Sequence, residues 1–134
     1  MRERPLSQSN PYWLPDEEYR TALHYAAQYQ EWEKELRTPP DTSKAVTYDG
    51  EKVQTSGGYD ATSEKAIRRY LIAQKKQKVE ATITEVAPEI YTYMLLGVGY
   101  RLTYKQLENR GIPCGKSYYY KKRQRFYYEL SKKI

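Results

Sequence analysis

Sixteen of the 134 residues are tyrosine, against one phenylalanine and two tryptophans, and this sets the terms on which the chain can fold. A tyrosine ring buries a large apolar area, but its hydroxyl needs a partner or water. A core drawn from this composition must therefore be built largely from aromatic rings whose hydroxyls reach the surface. The length fits one domain, or one compact unit with an extended arm, and leaves no room for a two-domain enzyme. A single cysteine, Cys114, excludes an intramolecular disulfide framework and a Cys-rich zinc site, in keeping with a reducing cytoplasm. The longest apolar patch, Met94 to Val98, is too short to span a bilayer, and the N-terminal residues carry no signal-like apolar region.

The apolar spacing predicts a mainly α protein, a helical bundle. After a flexible arm over residues 1–15, Tyr19, Leu23, Ala26, Tyr29, Trp32 and Leu36 recur at three- and four-residue steps, which predicts one amphipathic helix from Asp16 to Arg37. Asp16, Glu17 and Glu18 suit its positive end, and Thr38-Pro39-Pro40 stops it. The stretch 41–59 reads as a loop or as a small β-hairpin turning at Asp49-Gly50, with Gly57-Gly58 a further turn signal. A second helix is expected from Thr62 as N-cap to about Val86, and a third from Pro88, closed by Gly97 and Gly99. The chain so divides into the arm, an acidic helix and loop over 16–60, and a helical region over 61–134.

Thr103 followed by Gln106 is a capping-box pair, with Leu102 and Leu107 at staple positions, and it predicts a short helix over Tyr104–Asn109. Gly111 stops it, Ile112-Pro113-Cys114-Gly115 turns the chain, and Lys116 to Lys132 contains no breaker. Short helix, turn and long basic helix make a helix-turn-helix pattern over 103–132.

Charge is segregated in the same direction. Residues 1–60 carry 7 basic and 11 acidic side chains, while residues 61–134 carry 16 basic and 6 acidic. Such an excess suits a polyanionic partner. On the last helix, Tyr119, Phe126 and Leu130 fall within about 40° of one another, and Ser117, Tyr120, Lys121, Gln124 and Tyr128 cluster opposite. One face packs and the other can read DNA, so Ser117, Tyr120, Lys121 and Gln124 are the candidates for base contacts in the major groove. Lys105, Arg110, Lys116, Arg123 and Arg125 are the candidates for phosphates.

Other signals carry no chemistry. Gly111 to Ser117 mimics a phosphate-binding loop but has three residues between the glycines where four are needed, and no strand precedes it. Gly97-Val98-Gly99 lacks the third glycine of a dinucleotide site. His24 stands alone mid-helix, and Cys114, although beside Lys116 at a helix start, has no second cysteine or nearby histidine to make it a nucleophile. No catalytic constellation, cofactor site or metal site emerges.

Tyr12-Trp13-Leu14-Pro15 with Tyr29-Gln30-Glu31-Trp32, then Thr62 to Arg69, then Ile112-Pro113-Cys114-Gly115-Lys116 with Tyr118-Tyr119 and Arg125-Phe126-Tyr127-Tyr128, resembles small prophage proteins of Gram-positive bacteria related to the RinA and ArpU groups of phage transcriptional regulators. The similarity runs from Tyr12 to the end and is strongest from Pro88 onward. It implies a cytoplasmic, sequence-specific duplex-DNA-binding activator of late or packaging genes, with a C-terminal helix-turn-helix like the promoter-reading domain of sigma factors. Leu107 departs from the small residue usual at the fifth position of that pattern, and the Pro113–Gly115 turn is longer than the standard one. Besides duplex DNA, the host RNA polymerase and a second copy of the chain are candidate partners. Two other functions fit the same residues: a small-terminase-like packaging adaptor, and a polymerase-interacting module that touches DNA non-specifically.

Overall fold

The computed structural model describes residues 8–38 and 56–134, and every described element of regular structure is helical: α1 (Asp16–Ala27), α2 (Tyr29–Arg37), α3 (Ser56–Val86), a 3₁₀ turn (Pro88–Ile90), α4 (Tyr91–Gly99), α5 (Tyr104–Asn109) and α6 (Lys116–Ser131). The expected hairpin around Asp49-Gly50 lies outside the described residues, as does the arm before Gln8. The mainly α fold read from the spacing is the one found.

The chain forms two compact units, and their boundary differs from the expected division at residue 60. One unit contains the chain through Gln30 together with everything from Gln77, and the other spans Glu31–Lys76. Tertiary packing is the reason, because α1 lies against α6 and α4, which joins the acidic N-terminal helix to the basic C-terminal region.

In the larger unit, α4 also packs on α5 and α6. Its core holds Ala22 and Ala26 from α1, Val79 and Ile83 from α3, Met94 and Val98 from α4, Leu107 from α5, and Tyr119, Phe126, Tyr127 and Leu130 from α6. Several aliphatic side chains are thus fully covered alongside the aromatic rings. Lys133 ties the end of α6 to α3 through Thr82 (3.0 Å) and Glu85 (2.8 Å). Residues 8–15 are not a loose arm: Tyr12 meets Tyr128 edge to face at 5.5 Å, and its backbone N–H is held by the Asn10 side chain at 2.8 Å.

The smaller unit pairs α2 with the N-terminal part of α3 around buried Trp32 and Ile72. Arg69 donates to the carbonyls of Glu35, Leu36 and Thr38 at 2.8–3.1 Å, so one guanidinium satisfies the backbone acceptors that the end of α2 would leave open. Arg68 grips Glu35 with two hydrogen bonds, and Lys76 pairs with Glu33 at 3.2 Å.

Two helix boundaries and one glycine depart from the sequence reading. The single helix expected over Asp16–Arg37 breaks at Gln28, whose N–H bonds back only three residues to Tyr25 (3.2 Å). No glycine or proline marks the place. The second helix begins at Ser56, so Gly57 and Gly58 are helical and Thr62 is not its N-cap. In α4, Gly97 lies inside the helix rather than stopping it, while Gly99 is the last helical residue, as expected.

Gly97 is there for space. A Cβ on it would stand 1.8 Å from the Tyr119 hydroxyl oxygen and 3.1 Å from Cζ of the same ring. Tyr119 is fully buried, and its hydroxyl has no hydrogen-bond partner among the described residues, which reverses the expectation that such hydroxyls reach the surface. Gly97→Ala should therefore cost about 1–3 kcal/mol despite alanine's better helix propensity. Tyr119→Phe removes the clashing oxygen and an unsatisfied polar atom, so alone it should be neutral or stabilising. Combined, the two should recover most of the loss. Urea unfolding of the four variants checks this, and an equal cost of Gly97→Ala with either residue at 119 would contradict it.

Candidate nucleic-acid interface

The short helix, turn and long helix at the C-terminal end are built by local bonds that the sequence spells out. Thr103 accepts from the Gln106 N–H (3.2 Å) while the Gln106 side chain accepts from the Thr103 N–H (2.8 Å), a complete capping box at the start of α5. At the other end Gly111 takes φ of 92°, and its N–H and that of Ile112 return to the carbonyls of Glu108 and Leu107. The turn is then pinned by the Tyr104 hydroxyl, which donates to the Cys114 carbonyl at 2.8 Å. Tyr104, Tyr119 and Tyr120 form one ring cluster with centroids 5.1–6.4 Å apart, fixing the first turns of α6.

Of the expected base-reading residues, Ser117 and Lys121 are exposed, one turn apart on the outer face of α6. Tyr120 and Gln124 are half-buried. Gln124 is hydrogen-bonded to Tyr19 of α1, and the Tyr120 ring lies under the Arg123 guanidinium at 4.7 Å. The outer face of α6 is therefore open over its first two turns and covered further on by Tyr12 and Tyr19.

Of the expected phosphate-binding residues, Lys105, Arg110 and Lys116 are exposed. Arg125 is half-buried, with its guanidinium 5.8 Å from the Tyr12 ring centre. Arg123 is the correction. It is only 8% exposed and lies over both the Tyr119 and Tyr120 rings, and burial pulls its pKa down, so it does not lie along a DNA backbone. The helical wheel held the signal, because Arg123 is four residues after Tyr119 and three before Phe126, within the packing stripe.

Tyr118 was not among the expected site residues, and it stands 41% exposed beside Lys116 and Ser117. Its hydroxyl donates to Glu89 from the 3₁₀ turn, which holds that carboxyl below the usual range, and Lys122 lies 5.5 Å over its ring. Cys114 is half-buried, and burial pushes its thiol pKa up, opposite to what a reactive thiolate needs. His24 is exposed on α1. Among the described residues no helix is long and apolar enough to cross a membrane, and no three His, Cys, Asp or Glu side chains gather as a metal site would require.

No family model, no curated protein and no solved structure matches this chain.

Proposed function

We propose that the chain is a sequence-specific duplex-DNA-binding protein that inserts the first two turns of α6 into the major groove. One observation carries the reading: the open part of α6 coincides with exposed Lys116, Ser117 and Lys121, while its opposite face is anchored in the core by Tyr119, Phe126 and Leu130. A helix held this way presents side chains to a groove without rearranging. Ser117 and Lys121 are the base-contacting pair, with Tyr120 and Gln124 at the margin. Lys105, Arg110 and Lys116 bind phosphates. The resemblance to the RinA and ArpU groups directs the reading to transcriptional control of phage genes in a bacterial cytoplasm, with the host polymerase as partner.

The exposed cations set the size of the electrostatic effect. If Lys105, Arg110, Lys116 and Lys121 all approach phosphates or bases, log K should fall with log salt at a slope of about −3 to −4. Titration of a labelled random duplex at several salt concentrations measures it. Lys116→Ala should shallow the slope by about one unit for every sequence, and Lys121→Ala should also relax the preference found by selecting sites from random duplexes. A slope near −1 would overturn the proposal.

A further inference from the structure

Three large apolar side chains stand together in solvent on α3: Ile67, Tyr70 and Leu71 are 58%, 63% and 51% exposed. At the helical period they fall within about 100° of one another. The opposite side of the helix is the packed one, where Ile72 is buried, Arg69 donates to the carbonyls of α2 and Lys76 pairs with Glu33. All of these residues belong to the smaller unit. Exposed apolar residues scattered singly need no explanation, but a contiguous patch with a polar rim marks a surface that another surface covers.

The rim indicates what covers it. On one flank stand Glu64 and Lys75, both exposed and within about 20° of one line along the helix. Their midpoint falls between Arg69 and Tyr70, at the centre of the apolar patch. Arg68, the other charge on that flank, is already gripped by Glu35. On the second flank Ala66 and Ala73, also exposed, share the same midpoint and leave room for close approach. A face that carries opposite charges at equal distances from its centre is complementary to itself after a half-turn.

We propose that this face of α3 is a homodimer interface, in which two copies of the chain pair their α3 helices antiparallel about a two-fold axis near Tyr70. Each Glu64 then meets the other copy's Lys75, which gives two ion pairs beside a shared core of Ile67, Tyr70 and Leu71. A parallel pairing would set Glu64 against Glu64 and Lys75 against Lys75, so the charges select the antiparallel one. Opposed helix dipoles favour the same arrangement. The patch is small beside the roughly 800 Å² per partner of a standard interface, which places the dimer in the weak, reversible class. The pairing uses the smaller unit alone and stands whether or not α6 reads DNA.

Sedimentation equilibrium of the full chain from micromolar to millimolar concentration tests it, and the mass should double across that range. Glu64→Lys and Lys75→Glu should each weaken the dimer about tenfold, because each turns both ion pairs into repulsions. The double variant should return to near the wild-type strength, and a mixture of the two single variants should form mixed dimers in preference to either parent. Tyr70→Ser should weaken the dimer about tenfold or more. These positions are exposed, so circular dichroism should show every variant folded. A mass of one chain at every concentration up to about 1 mM, or a dimer equally strong in Glu64→Lys and Tyr70→Ser, would overturn the interface. So would a drop in Tm for Tyr70→Ser that is the same at every concentration, since the patch would then be packing within its own chain.

Discussion

Phe126→Ala is expected to remove about 3–5 kcal/mol of folding stability. The ring is fully buried and meets the Tyr127 ring edge to face at 5.3 Å. Truncation leaves a ring-sized void, and the surrounding helices are tied through side-chain contacts that limit their collapse into it. A domain of this size typically has about 5–15 kcal/mol in total, so one ring would account for a large share of it. Ser117→Ala and Lys121→Ala, on the opposite face, should change stability by no more than about 0.5 kcal/mol. Urea unfolding measures all three. If Phe126→Ala unfolds at the same denaturant concentration as the two surface variants, α6 is rotated from the orientation described, and both the core and the reading face must be redrawn.

High pH should destabilise the protein steeply through its tyrosines. Burial raises the pKa of Tyr19, Tyr119 and Tyr127, reinforced for Tyr19 and Tyr119 by the neighbouring Tyr127 phenol, while in the unfolded chain each would ionise near 10. The sign follows from proton count: above pH 10 the unfolded state loses protons that the folded state keeps. The stability associated with the neutral phenols is fully present below pH 10 and is lost as the pH climbs towards their folded pKa values. Each such tyrosine contributes a slope of about 1.4 kcal/mol per pH unit, and the three together about 4. Phenolate absorbance should rise first for the exposed tyrosines and then in a second, cooperative step that coincides with loss of the helical circular dichroism. Tyr119→Phe should shallow the dependence by about one tyrosine's worth. Smooth titration of every tyrosine with helicity intact would contradict the burial of these rings.

The sequence by itself determined the elements whose cause is local. Thr103 and Gln106 specify the start of α5 because the capping box closes within four residues, and Gly111 specifies its end because only the left-handed backbone fits there. The periodicity of Tyr119, Phe126 and Leu130 likewise named the buried side of α6, since a helix wheel depends on spacing alone. The tertiary structure decided what depends on neighbours distant in the chain. It turned Gly97 from an expected stop into a gap for the Tyr119 ring, and it covered Gln124 and Arg125 with Tyr19 and Tyr12 from the other end of the chain. It also drew Arg123 inward over two tyrosine rings, where its position on the wheel outweighed the preference of a charge for water. The physical reason is range: caps and wheels are set by bonds within a turn or two, whereas which part of a helix face stays open is set by the segment that packs across it.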